Sequence, residues 1–194
     1  SPYYVSYSNY TDGNHQNGLG DYESKGAKAF TDQTHNVYDT GLSAWDFDAD
    51  GVSAGHNGVW IMAGLPHLQA VEWTTNIETV EQLQMMALNL SADYTLNENI
   101  NASATQFWNY KGSGDVADPA NYYGFVPVGN PSYTVFSGSL NGNSKTITSL
   151  TINKLGGAGL FFALDGSVSN LGLINPDIAG VSPSAYTGAL AAMA

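Results

Sequence analysis

The chain has 194 residues, a formal net charge of −12 and no cysteine; 11% of its residues are charged and 43% are hydrophobic. Its five cationic residues are all lysines, so this chain would repel polyanions, and we expect no nucleic-acid partner. We also expect no membrane insertion, because no apolar run approaches the roughly 20 residues that span a bilayer. The missing cysteines exclude disulfides, thiol catalysis and cysteine-ligated zinc.

The first 75 residues carry little regular patterning. Ser, Asn, Tyr, Gly and Asp dominate as far as Asp21, and the apolar anchors are confined to short runs at 45–47, 59–62 and 65–68. Such runs, separated by turn-forming residues, are typical of loops and short strands. We therefore predict that residues 1–75 are loop-rich and less regular than the rest of the chain.

A candidate calcium loop lies in this region. Asp46, Asp48 and Asp50, followed by Gly51, have the spacing at which alternate carboxylates on a tight turn converge on one hard cation. The twelfth position is Asn57 instead of the bidentate Glu of an EF-hand. A weak calcium site and a solvated acidic turn both remain open. The four histidines show no paired metal-ligand spacing, so calcium is the one cofactor considered.

Residues 76–90 are predicted to form a helix that flanks the β structure. Thr75 and Glu78 fit a capping box. Apolar residues then follow at helical spacing from Ile77 to Leu90.

Residues 92–194 are predicted to form a right-handed parallel β-helix, with a β-sandwich as the alternative. Residues 147–152 align with 168–173, 21 residues later, and residues 158–161 align with 188–191, 30 residues later. Short strands that recur every 20 to 30 residues between turn residues suit a solenoid whose coils stack on one another. Within this region, residues 94–96 and 100, 125–128 and 133–140 are predicted as strands, and residues 141–143 as a turn. Residues 108–123 contain several Gly and Pro breakers and are predicted to be an exposed loop.

The run from Gly159 to Leu173 resembles the GLUG motif of filamentous-haemagglutinin-type bacterial exoproteins and of the N-terminal region of some IgA-specific metalloproteases. Residues 94–152 are similar to the coils that lead into that motif, and residues 45–68 to the end of a preceding copy. Phe162 and Ala189 stand where the motif usually has glycine. The resemblance implies that residues 1–75 close one repeat unit, that residues 76–194 form a helix and the coils of the next, and that the chain is a fragment of a longer protein.

The function that this resemblance implies is that of an extracellular adhesin or stalk segment in a large secreted or surface-attached bacterial protein. Its loops would meet a host or cell-surface receptor, and the full-length protein would need an outer-membrane secretion partner. One alternative is a non-catalytic N-terminal module of a secreted IgA-type metalloprotease. The other is a polysaccharide-active β-helix enzyme, which is disfavoured because a chain without Arg would repel acidic glycans. We expect no catalytic residues.

Three N-x-[ST] sequons make Asn9, Asn89 and Asn101 candidates for glycosylation. In a chain this rich in Asn, Ser and Thr, several sequons also arise by chance, so unmodified asparagines are the alternative.

Overall fold

The computed structural model describes residues 60–129, 134–154, 156–180 and 186–194. Within these ranges the chain is mainly β, as predicted, with short helices before and between the strands. The α-helices are α1 (Gln69–Glu72) and α2 (Val80–Gln84), and 3₁₀ helices cover Met85–Leu88, Ser103–Phe107 and Pro119–Asn121. The strands are β1 (Trp60–Ala63), β2 (Leu65–Leu68), β3 (Asn76–Ile77), β4 (Asp93–Leu96), β5 (Ile100–Asn101), β6 (Ser139–Asn141), β7 (Thr146–Thr148), β8 (Thr151–Lys154), β9 (Gly157–Ala158), β10 (Phe161–Ala163), β11 (Ser167–Ser169), β12 (Gly172–Ile174), β13 (Asp177–Gly180), β14 (Tyr186–Thr187) and β15 (Ala191–Met193).

Parallel pairing between successive stretches of chain organises these strands. β6 to β10 pair in order with β11 to β15, each strand parallel to its counterpart, and the paired residues are 26 to 30 positions apart. The preceding strands extend two of these sheets, giving the orders β11-β6-β4-β3 and β12-β7-β5. β1 and β2 form an antiparallel pair. The parallel strands thus form several small sheets.

The core is built from alternate residues of the strands, because every second side chain of a strand faces the same way. Tyr94, Leu140 and Val168 lie opposite one another in β4, β6 and β11. Phe136 packs between Tyr94 and Phe161, with ring centroids 6.2 Å and 4.6 Å away. These residues belong to one continuous apolar cluster, and burial of such side chains stabilises a fold by about 25 cal/mol per Å².

The predicted helix over 76–90 is present but shorter, and its predicted cap is wrong. Residues Asn76–Ile77 are strand β3, which pairs with β4. The N-cap is Thr79. Its side-chain hydroxyl accepts a hydrogen bond from the Gln82 backbone amide, and the Gln82 side-chain oxygen accepts one from the Thr79 backbone amide. The Thr75–Glu78 spacing fits the same motif by sequence, but its residues lie at a strand and not at a helix start.

One of the two predicted repeat alignments is wrong. Ile147 lies opposite Leu173, and Val168 lies opposite Leu140, whereas the alignment placed Ile147 with Val168. Residues 147–152 and 168–173 carry apolar side chains at the same relative positions. A comparison of sequences therefore matches apolar with apolar positions even when the two stretches are not paired in the structure. The 30-residue alignment is confirmed where Phe161 pairs with Ala191.

The strand predicted at residues 125–128 reduces to isolated bridges, Gly124 with Ile152 and Val128 with Phe161. Pro127 interrupts the run and has no amide hydrogen to donate to a sheet. No helix in the described ranges is long and apolar enough to cross a membrane.

Candidate functional site

The most prominent surface feature is the stretch of residues 109–123, which we call the protruding segment. Tyr110 and Tyr122 face each other in an antiparallel bridge at its base. The Lys111 amide donates to the Asn121 carbonyl at 2.8 Å, and the Tyr123 amide donates to the Asn109 carbonyl at 2.9 Å. Residues 112–120 beyond this base are exposed except for the half-buried Val116. The backbone hydrogen bonds therefore hold a loop of defined shape away from the strands.

Aromatic rings anchor the base of the protruding segment. Tyr122 is 1% exposed, and its ring makes edge contacts with Phe107 and Tyr110 at centroid distances of 5.5 Å and 5.2 Å. Its hydroxyl donates to the Val116 carbonyl at 2.9 Å. Burial raises the pKa of the Tyr122 phenol, and the nearby Tyr110 and Asp115 add to the effect. This base is a packed platform, so the prediction of an exposed loop is right for residues 112–120 and wrong for the buried ends.

The tip of the protruding segment carries two carboxylates that shape local turns. Asp115 and Asp118 each accept a hydrogen bond from the amide two residues later, both at 2.9 Å. Lys111 folds back along the segment, donating to the Ala120 carbonyl at 2.8 Å and lying 5.3 Å from the centre of the Tyr123 ring. The exposed tip therefore carries two carboxylates, and the Lys111–Tyr123 cation–π contact lies at the base of the segment.

A second feature is a cavity of about 540 Å³ beside α1 and α2. His67 Nδ1 lies 2.5 Å from Glu72 Oε2, and the Leu68 amide donates to Glu72 Oε1 at 2.9 Å. Burial opposes ionisation of Glu72, but the hydrogen bonds from His67 and Leu68 outweigh it and lower the pKa of this carboxyl. The wall is completed by polar and apolar side chains: Val71, Trp73, Thr74, Asn76, Glu78, Thr79, Glu81, Gln82 and Met85.

Only some of the residues predicted as sites lie in the part of the chain that the structure describes. The calcium candidates Asp46, Asp48 and Asp50 and the sequon at Asn9 lie outside the described residues. Within the described ranges there is no group of three or more His, Asp or Glu side chains that could hold a metal ion. The other two sequon asparagines are on the surface: Asn89 and Asn101.

A buried polar contact that sequence reasoning missed joins α2 to residues 125–128. Gln84 is 1% exposed. Its Nε2 donates to the Val126 carbonyl, and its Oε1 accepts from the Val126 amide, both at 2.9 Å. Gln84 thus gives the Val126 amide and carbonyl the partners that a neighbouring strand would supply. The available signal was the glutamine at position 84, which lies between Leu83 and Met85 in the apolar run that ends at Leu90.

The comparisons with known proteins place the chain near one very long relative. Halomucin of Haloquadratum walsbyi is 34% identical over 111 residues, which cover 54% of this chain and 1% of the relative. This chain therefore spans about 1% of the length of that curated protein. No family model matches the chain. No solved structure matches it.

Proposed function

We propose that the chain is an extracellular adhesin or stalk segment of a large secreted or surface-attached protein, built as a right-handed parallel β-helix. Its role in this proposal is mechanical: a stiff stack of coils holds loops away from the surface for contact with a host or cell-surface receptor. It has no catalytic residues of its own.

One observation carries the proposal: five consecutive strands pair in order, all parallel, with the next five. A chain that repeats its path in this way can lengthen by adding levels, since each level contacts only its neighbours. The right hand follows the strong preference of connections between parallel strands in one sheet. The GLUG resemblance of residues 159–173 supports the same architecture.

The similarity to halomucin, a mucin by name, supports a place outside the cell or at its surface. The 1% share of that relative also supports a role as one part of a very long protein. The net charge of −12 fits a surface that must stay dispersed in solvent, because like charges oppose association.

Immunogold labelling of intact source cells with antibodies against this chain tests the location. We expect label on the cell exterior or in the medium fraction. Label confined to the interior of permeabilised cells overturns the proposal. Far-ultraviolet circular dichroism tests the architecture in parallel, and a dominant helical spectrum contradicts it.

Bead attachment tests the presenting role of the protruding segment. Beads coated with the full chain are expected to attach to cells, and replacement of residues 112–120 by a Gly-Ser linker of equal length is expected to abolish attachment. The matched control replaces the exposed turn Asn143-Ser144 by Gly-Gly, which suits its positive φ values of 51° and 59°. If the control loses attachment equally, the protruding segment is not the contact.

The two alternatives from the sequence have their own readouts. Release of reducing sugar or unsaturated product from acidic or neutral glycans would show that the chain is a polysaccharide-active enzyme. A downstream H-E-x-x-H segment in the full-length protein would favour the IgA-type protease module.

A further inference from the structure

We propose that Asn89 and Asn101 are N-glycosylation sites, each receiving an oligosaccharide from a lipid-linked donor. This inference rests on the extracellular location proposed above, because oligosaccharide transfer takes place outside the cytoplasm. The evidence is the conformation that both sequons share in the folded chain.

The first site, Asn89, follows the 3₁₀ helix Met85–Leu88 in extended backbone. Its Oδ1 accepts hydrogen bonds from both the amide and the hydroxyl of Ser91, at 3.2 Å and 3.0 Å. The residue is exposed, and its Nδ2 has no hydrogen bond to any residue that the structure describes. The amide oxygen is therefore held by Ser91, while the nitrogen that would carry the glycan belongs to an exposed side chain and has no partner among the described residues.

The second site, Asn101, has the same local turn. Its Oδ1 accepts from the Ser103 amide at 3.0 Å, and the residue is exposed. It lies on β5 opposite Thr148. Among the described residues β5 is an outer strand of the sheet β12-β7-β5, so a glycan here would stand beside a strand edge that no described strand covers and would block its pairing with another chain.

The transfer balances without an oxidant or reductant. The Asn Nδ2 attacks the anomeric carbon of the first sugar, an N–C bond forms, and the C–O bond to the lipid phosphate breaks. The phosphate leaves with the bonding electron pair, and Nδ2 loses one proton to solvent or to an enzyme base. Because resonance makes an amide nitrogen a poor nucleophile, the enzyme that transfers the oligosaccharide must activate Nδ2. The folded chain contributes exposed sequons, and at Asn89 the Ser91 hydroxyl already lies 3.0 Å from the side-chain amide oxygen.

Asn141 is an internal comparison with the same turn but no sequon. Its Oδ1 accepts from the Asn143 amide at 2.9 Å and also from Asn170 Nδ2 at 3.2 Å, and the residue is exposed. The position two residues on is an amide side chain without a hydroxyl. We expect this asparagine to stay unmodified, so the turn alone does not make a site.

Glycopeptide mass spectrometry of the chain isolated from the surface fraction of its source cells tests the proposal. Glycan masses are expected on the peptides that contain Asn89 and Asn101, and none on the peptide that contains Asn141. Both sequon peptides recovered only in unmodified form overturn the inference, while the proposed surface location stands.

A second experiment directs the chain into a compartment where N-glycosylation takes place. The full chain behind a secretion leader is expressed in a host that N-glycosylates. Asn89→Gln and Asn101→Gln should each remove one glycan, Ser91→Ala and Ser103→Ala should remove the same two, and Ser91→Thr and Ser103→Thr should retain them. If the folded, secreted chain carries no glycan, the sites are wrong whatever the native location. If it is glycosylated here but native protein is found only inside cells, the proposed function fails and the sites remain competent.

Discussion

Ile147 lies opposite Ile100 on one side and Leu173 on the other, in three parallel strands. Ile147 is 1% exposed, whereas Leu173 is only partly buried. β7 has a strand on each side, while β12 is an outer strand of its sheet as the structure describes it. Ile100, on the opposite outer strand β5, is 2% exposed, so the partial exposure of Leu173 is a property of the β12 side of the sheet.

This asymmetry predicts unequal costs of truncation. Ile147→Ala should lower the free energy of unfolding by about 2–5 kcal/mol, the usual range for a fully buried aliphatic side chain. Leu173→Ala should cost about 1–2 kcal/mol, since part of its surface is already in water. Urea unfolding of both variants measures the difference. Equal costs would mean that something beyond the described residues covers Leu173.

The Gln84 contact predicts that an apolar residue of similar size will be poorly tolerated. Gln84→Met removes the partners of the Val126 amide and carbonyl, and each group left unsatisfied costs about 1–3 kcal/mol. The matched control is Gln106→Met, at a half-exposed glutamine with no hydrogen bond to a described residue; we expect a change within about 0.5 kcal/mol. Chemical denaturation compares the two. Equal effects would remove the assigned role of Gln84.

The local elements could largely be predicted from the sequence, but only one of the two strand registers could. Strands at residues 94–96 and 100, and a turn at 141–143, are predicted by alternation and by turn residues. Alternation has a period of two, so it fixes which side chains face inward but not which strands meet. The distinguishing signal was a glycine pair. A Cβ on Gly138 would overlap the Ala92 carbonyl, and one on Gly166 would overlap the Gly138 carbonyl. These two glycines therefore mark equivalent positions, directly before the paired strands β6 and β11.

The candidate sites were harder to predict because they depend on contacts between distant residues. The sequons at Asn89 and Asn101 are visible as motifs, whereas their exposure is a property of the fold. The base of the protruding segment was missed because Trp108, Tyr110 and Tyr122 lie among Gly, Asp and Pro residues that indicate a loop. Their burial depends on neighbours such as Phe125, whose ring stacks on Trp108 at 6.4 Å.

The calcium hypothesis stays a prediction for Asp46, Asp48 and Asp50. If these carboxylates bind one ion in the folded chain, a hundredfold excess of calcium over Kd should stabilise it by about 2.7 kcal/mol. Extracellular sites of this kind have Kd values of about 10⁻⁴–10⁻³ M, so about 10 mM calcium should raise the Tm. Asp48→Ala should abolish the rise. Identical melting curves in EDTA and in calcium would leave an acidic turn.

Tyr94 predicts how stability responds to alkaline pH. The residue is 1% exposed, and its hydroxyl donates to the Asn89 carbonyl at 2.9 Å. Burial raises the pKa of the Tyr94 phenol from 10.0 to about 12. Between these two values the unfolded chain releases a proton that the folded chain keeps, so raising the pH favours unfolding. The contribution of Tyr94 is complete below about pH 10 and is lost as the pH approaches 12.

Tyr94→Phe isolates this effect from the other alkaline titrations. The variant loses one hydrogen bond, about 1 kcal/mol at neutral pH, but its stability should fall less steeply above pH 10 than that of the parent chain. Lys154→Met is the control, because Lys154 changes the pH dependence of stability in the opposite direction to Tyr94. Burial lowers the pKa of Lys154, so the folded chain loses that proton first, and this lysine makes stability rise with pH; its removal should steepen the alkaline fall. Urea unfolding from about pH 8 to 11.5 measures all three slopes, around the ordinary tyrosine and lysine values. If the parent and Tyr94→Phe chains lose stability in parallel, Tyr94 does not control the alkaline limit of the fold.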